Sequence, residues 1–277
     1  MKKWYAVIGD PIAQSSSPRM HDAWLEQLDL DATYVPIHIR EGELKEGFES
    51  MKRLGASGWN VTVPHKEAIV PLLDRIDPLA DRMQAVNTVV IEDGAYVGYN
   101  TDGIGFVRSL QEAYPEHEKG NVLLIGAGGA AKGIAFAMQQ EGYASLTVAN
   151  RSVERADALA RALGNGARSC TLEEAERQFD TFDVVVQTTS VGMNFATAGT
   201  PLPVTRVKEG AVVADIIYNP LETEFLRQAK RAGARTLNGL GMFVHQGAES
   251  FEKWTGIRPD TKSMIQRLTD ELGGTTC

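Results

Sequence analysis

The sequence predicts an α/β fold, a doubly wound parallel sheet together with a second α/β region. Three observations lead there. Strand and helix patterns alternate throughout residues 121–237. Within that span, the apolar run 122–125 stops at a glycine cluster in which Gly126, Gly128 and Ala131 have GxGxxA spacing. Strands and helices also recur before residue 102, and after Leu237 the pattern changes to two helices near 240–254 and 260–272.

Taken in order, residues 4–8 read as a strand that Gly9, Asp10 and Pro11 end in a turn. Ser17 followed by Pro18 reads as an N-cap with proline at the first helical position, and Met20, Trp24 and Leu28 follow with amphipathic spacing. A cap accounts for Ser17 and not for Ser15. Adjacent serines leave hydroxyls and N–H groups at a helix N-terminus, which suits a carboxylate or a polyhydroxyl compound. Residues 33–39 form a second strand and 41–54 a helix ending at Gly55.

In 58–66, GWNVTVPHK, Trp59, Val61 and Val63 alternate with Asn60 and Thr62, so the two polar side chains share one face. Pro64 ends the ladder because it has no N–H to donate. Lys66 falls just past the strand's carboxyl end, where open α/β sheets place ligands. A helix over 77–84 precedes a hairpin, 88–92 and 96–99, turning at Asp93 and Gly94. Asn87 and the run Asn100, Thr101, Asp102, Gly103 frame it. The run reads as a helix N-cap before Ile104, Phe106, Val107 and Leu110, which explains Thr101 or Asp102 but not both. A polar linker at 115–120 follows.

In the strand–turn–helix–strand unit from residue 121, the first glycine makes the turn and the second admits backbone N–H groups to a pyrophosphate at the helix N-terminus. The helix continues through Ile134, Ala135 and Met138 to Gly142, and a second strand covers 146–149. An NAD site normally ends that strand in Asp or Glu. Here stand Asn150, Arg151, Ser152 and Arg155, and guanidiniums suit a 2′-phosphate, so NADP(H) is the expected cofactor. Ser152 also reads as the N-cap of the helix carrying Ala156, Leu159 and Leu163. Further strands are expected at 183–187 and 211–216, separated by a loop at 192–203.

The chain has 277 residues, enough for two modest domains, and 28 basic against 36 acidic side chains give a net charge of −8 without long blocks of one sign. That balance argues against a nucleic-acid or anionic-membrane surface. No signal-peptide pattern and no apolar run near the ~20 residues of a membrane span occur, so a cytoplasmic protein is expected. Cys170 and Cys277 make no CxxC, and the five histidines include no HxxxH pair, so no metal is expected.

The motifs VIGDPIAQSSSP, NVTVPHK, AVNTV, GYNTDG, GAGGAAK, NRSVER, DIIYNP and GLGMFVHQ occur in the order and at the separations of the shikimate dehydrogenases, and the resemblance covers nearly the whole chain. It implies NADPH-dependent reduction of 3-dehydroshikimate to shikimate in aromatic amino-acid biosynthesis, by a monomer or homodimer. It implies a substrate-binding domain, 1–102 with 240–277, facing a Rossmann-type NADP-binding domain, 103–239, across a cleft. Carried over by motif, Ser15, Ser17, Thr62, Lys66, Asn87, Asp102, Tyr218 and Gln246 line the substrate site. Gly126, Ala127, Gly128, Gly129, Ala130, Asn150, Arg151, Ser152, Arg155, Thr189, Ile216 and Gly239 contact the cofactor. Lys66 is the expected proton donor to the developing alkoxide, with Asp102 as its partner. Two positions depart from the family pattern: His65, where an apolar or aromatic residue is common, and Gln187, where Asn is common. Rival readings are a quinate/shikimate dehydrogenase using NAD, a folate-linked methylene dehydrogenase, and a silent NADP sensor.

Overall fold

The computed structural model describes residues 2–193 and 198–273. Part of the expected loop at 192–203, residues 194–197, lies outside the described residues. Contacts divide the chain into two units, one holding the residues up to Thr101 with Gln246–Met264, the other Asp102–His245 with the described residues from Ile265 on.

The first unit contains β1 (Lys3–Gly9), α1 (Ser17–Gln27), β2 (Ala32–His38), α2 (Leu44–Arg53), β3 (Gly58–Val61), β4 (Arg75–Ile76), α3 (Pro78–Met83), β5 (Thr88–Glu92) and β6 (Ala95–Tyr99). Its sheet runs β2-β1-β3-β5-β6-β4, parallel across β2, β1 and β3 and antiparallel at β5. Alternation in β1 sends Ala6 and Ile8 into a core with Phe48, Trp59, Val61 and Val89, while Tyr5 on the other face stacks on Trp254 at 5.0 Å. The hairpin turns as expected: Asp93 and Gly94 both have positive φ, 51° and 81°, the pair that a two-residue I′ turn needs.

Helix α1 starts one residue earlier than its sequence suggests. Ser16 is the N-cap, already at φ −81°, ψ −6°, and Ser17 is the first helical residue. The cause is Ser15, whose hydroxyl oxygen accepts the Ser17 N–H at 3.3 Å.

The second unit contains α4 (Asp102–Ala113), β7 (Asn121–Ile125), α5 (Gly129–Gln140), β8 (Ser145–Ala149), α6 (Val153–Leu163), β9 (Arg168–Cys170), α7 (Leu172–Arg177), β10 (Val184–Gln187), β11 (Val212–Asp215), α8 (Glu224–Arg231) and β12 (Arg235–Leu237). All strand pairs are parallel, in the order β12-β11-β10-β7-β8-β9. From β7 the chain first winds outward through β8 to β9, then returns to β10 on the other side. The reversal between β7 and β10 is the switch point at which doubly wound sheets hold ligands.

Helices α9 (Leu240–Thr255) and α10 (Thr261–Glu271) are each shared between the units, whereas the sequence placed all of 240–277 in one. The reason lies in the two halves of α9. Phe243 stacks on Tyr218 and His245 pairs with Glu112, both in the second unit. Beyond Gln246, Ser250 bonds Asn60 and Trp254 bonds the Val89 carbonyl, both in the first.

Candidate active site

In the first unit, the expected substrate residues gather around the ends of β1 and β3 and the start of β5. Thr62 follows β3, and its N–H donates to the Ile8 carbonyl at 2.9 Å. Asn87 precedes β5, and its carbonyl accepts the Val61 N–H at 2.8 Å. The Lys66 carbonyl accepts from Val86 N–H at 2.8 Å, so the turn carrying Lys66 is tied to the residue before Asn87. Lys66 itself is partly buried. His65 is buried, and its Nε2–H donates to the Ile39 carbonyl at 2.7 Å, which pins the same turn to the end of β2.

Beneath these residues runs a buried polar network that the sequence did not disclose. Asn60 Nδ2 donates to the Asn87 carbonyl at 3.1 Å, to Thr88 Oγ1 at 3.2 Å and to Ser250 Oγ at 3.0 Å. Because a carbonyl only accepts, this contact orients the Asn60 amide and leaves Oδ1 to accept the Tyr34 hydroxyl at 2.7 Å. Tyr34 also hydrogen-bonds the Ser17 side chain, and burial pushes its phenol well above the ordinary range. Asn87 Oδ1 accepts the Thr101 N–H at 2.8 Å. Ser250 Oγ donates to the Gln246 carbonyl at 3.1 Å. The network thus links Ser17, Asn87 and the backbone of Gln246. Satisfied buried networks hold their members rigidly. Asn60 was visible in the alternation of 58–66, but Ser250 lies 190 residues from it and carries no local signal.

In the second unit, the expected cofactor residues follow the carboxyl ends of successive strands. Gly126 ends β7 with φ +118°, where a Cβ would strike Thr188 Oγ1. The turn is closed by Gly126 N–H to the Ala149 carbonyl at 2.8 Å and by Thr188 N–H to the Ile125 carbonyl at 2.8 Å. Gly128 and Gly129 differ in kind. A Cβ at either would meet nothing within 4 Å, and Gly128 caps α5 with no side chain and an ordinary φ of −87°. Neither packing nor backbone requires glycine there. Their bareness keeps the α5 N-terminus and its N–H groups open, which fits a diphosphate bound beside Ala127 and Ala130.

Asn150 follows β8, and its Nδ2 donates to the Ser152 carbonyl at 3.0 Å. Arg151 and Arg155 are exposed. Ser152 takes the N-cap position of α6, yet its hydroxyl makes no cap bond and donates instead to Glu154 Oε2 at 2.7 Å. After β10, the buried Gln187 folds over its own turn. Its Nε2 donates to the carbonyls of Thr189 and Val191, each at 3.1 Å, and its Oε1 accepts the Thr189 N–H. Ile216 follows β11 and donates its N–H to the Gln187 carbonyl at 3.0 Å, and Gly239 N–H donates to the Ile217 carbonyl at 2.9 Å. Asp102 opens α4, buried to 6% exposure in a first turn that favours a negative charge.

Three family descriptions match in sequence order: a shikimate dehydrogenase substrate binding domain at residues 7–89, a shikimate / quinate 5-dehydrogenase at 108–218, and a shikimate 5′-dehydrogenase C-terminal domain at 239–269. A relative from Lysinibacillus sphaericus, named shikimate dehydrogenase (NADP(+)), is 54% identical over 99% of this chain and 100% of its own. The Thermus thermophilus shikimate 5-dehydrogenase in complex with NADP(H) and shikimate superposes with a TM-score of 0.88 at 36% identity, covering 98% of this chain and 99% of that one. A Corynebacterium glutamicum quinate dehydrogenase in complex with NAD reaches 0.90 at 33%, covering 97% and 99%. The two sheets therefore form a Rossmann-type nucleotide domain and a substrate-binding domain. With full-length identity of this order and the motif residues standing at the strand ends described above, the chain belongs to the shikimate dehydrogenase family.

Proposed function

We propose that this chain interconverts shikimate and 3-dehydroshikimate with NADP(H), the step that the pathway to aromatic amino acids requires. The observation that carries the reading is the full-length identity to the NADP-dependent relative. The geometry supports each half. In the second unit, the open α5 N-terminus at Gly128 and Gly129 suits the diphosphate, and Arg151 and Arg155 stand where an NAD site carries a carboxylate. Gly126, Asn150 and Ser152 flank these positions, and Thr189, Ile216 and Gly239 would border the nicotinamide. When bound, the cofactor supplies the hydride chemistry.

The protein's own residues supply orientation and the proton. Ser15 and Ser17 would bind the substrate carboxylate, and Thr62, Asn87, Tyr218 and Gln246 the ring hydroxyls. Lys66, as an ammonium, would give its proton to the carbonyl oxygen on reduction, and as a free amine would take it back on oxidation. Asp102 would hold that ammonium and touch the substrate. The buried Tyr34–Asn60–Ser250 network supports this assignment by fixing the residues that would grip the ring.

A steady-state matrix of shikimate and quinate against NADP and NAD tests the reading. Shikimate with NADP should give the highest specificity constant. Faster turnover of quinate with NAD would favour the activity named for the Corynebacterium relative instead.

A further inference from the structure

Asp215, the last residue of β11, is 1% exposed, and its carboxylate holds the segment that follows it. One oxygen accepts the Ile217 N–H at 3.0 Å and the other accepts the Thr223 hydroxyl at 2.7 Å. Thr223 in turn caps α8 by accepting the Leu226 N–H at 3.3 Å. The segment is pinned on its far side as well: Gly239 donates to the Ile217 carbonyl at 2.9 Å, and a Cβ on Gly239 would collide with the Ile216 carbonyl. Tyr218 stacks on Phe243 with ring centres 4.9 Å apart. The carboxylate therefore closes the turn from Ile216 to Thr223 at its base.

We infer that Asp215 is a positioning residue, whose carboxylate aims Ile216 and Tyr218 through the Ile217 N–H while touching neither substrate nor cofactor. The inference rests on the roles proposed above for Ile216 and Tyr218. The surroundings of the carboxylate are neutral. Gln187 stands opposite on β10, the α8 charges Glu224 and Arg227 pair with each other at 2.9 Å, and Arg235 on β12 donates to the Gly210 carbonyl. Burial raises the Asp215 carboxyl to about 6, against the two hydrogen bonds that lower it. As a carboxylate, Asp215 accepts from both donors. Once protonated, it can give its O–H to the Thr223 hydroxyl, which accepts as well as donates, so the Ile217 N–H is left with a neutral carbonyl oxygen and that clamp on the segment weakens.

The asparagine isostere reproduces the neutral form at every pH. In Asp215→Asn, whose side-chain oxygen still accepts but carries no charge, exchange of the Ile217 amide in the free protein should quicken about five- to ten-fold at pH 8, the difference between a charge-assisted and a neutral bond. KM for shikimate and NADP should rise by a similar factor of about ten, with kcat changing less. The wild-type Ile217 protection factor should fall to that of the variant as pH drops below about 6, and the variant's should not change there. Equal Ile217 protection in the two proteins, or the same pH inflection in both, overturns the inference. If Asp215→Asn does not fold, Thr223→Val decides. It should speed Ile217 exchange and raise KM, with Thr223→Ser restoring both, and unchanged exchange and KM in Thr223→Val count against the inference. The roles of the positioned residues are separable. If Ile216→Ala and Tyr218→Phe leave KM unchanged while Asp215→Asn frees the Ile217 amide, those roles fail and the clamp stands. If they raise KM while Asp215→Asn does neither, the clamp fails.

Discussion

The Ser152 hydroxyl donates to the Glu154 carboxylate at 2.7 Å, across the first turn of α6 and between Arg151 and Arg155 in sequence. The bond to Ser152, and next Glu154's own backbone N–H, hold this carboxyl below the ordinary glutamate range. The chain thus carries an anion of its own at the helix end proposed for the 2′-phosphate. Like charges repel even at an exposed site, so Glu154→Gln should lower KM for NADP about two- to five-fold, the scale of an exposed charge pair, and leave NAD unchanged. The gain should shrink as salt screens it. Equal effects on both cofactors would place the phosphate elsewhere.

Arg151→Ala probes the opposite sign at the same place. Losing a charged donor costs about 1.5 to 3 kcal/mol, or roughly ten- to a hundred-fold, and the rise should fall on NADP and spare NAD. Initial rates with each cofactor at saturating shikimate are the measurement. A common loss with both rejects the 2′-phosphate contact.

Lys66→Ala should lower kcat by about 10² to 10⁴ with modest change in shikimate binding, the range of a general acid–base group. Asp102→Asn should damage both binding and turnover. Near-normal kcat in the lysine variant would refute the proton-transfer assignment.

His21 and Asp215 give stability opposite dependences on pH. His21 is buried at 1% exposure, its ring stacks on Tyr34 at 4.3 Å, neither ring nitrogen has a hydrogen-bond partner among the described residues, and burial lowers its pKa to about 3. Between that value and about 6.5 the unfolded imidazole takes a proton that the folded one refuses, so stability is full above 6.5 and is lost on acidification, by about 4 to 5 kcal/mol in all. Asp215, raised from 3.8 to about 6, works the other way: the folded state binds the extra proton, and its contribution is full below 3.8 and lost as pH rises through 6. His21→Phe keeps a stacked ring without the titration. Its Tm should fall less than that of wild type between pH 6.5 and 4, and Asp215→Asn should fall more. Parallel Tm curves for all three proteins would show that neither group titrates as its burial dictates.

Local chemistry was readable where it was self-contained. The β7–α5–β8 unit and the Asp93–Gly94 turn are specified by residues within a few positions of each other. The start of α1 slipped by one because Ser15, Ser16 and Ser17 offer the same hydroxyl, and only the fold decides which one receives an N–H. Strands β4 and β9, two and three residues long, are too short to show any alternation. The candidate side chains could be named from motifs, but their supports could not. Nothing beside Asn60 points to Ser250, nothing beside Ser152 says that its hydroxyl will turn to Glu154, and the reach of Gln187 over its own turn depends on the methylene that Asn lacks.

The order in which the ribosome delivers these parts differs from the order in which they fit. Asn60, Thr88 and Thr101 emerge early, yet their shared partner Ser250 follows nearly the whole second unit, as does Trp254, which stacks on Tyr5 and bonds Val89. A nascent chain ending near residue 245 would already hold all six parallel strands of its later sheet. Its earlier sheet would still lack the hydroxyl that the Asn60 amide bonds and the indole that covers β1. The first part of this protein to be made is thus among the last to be finished.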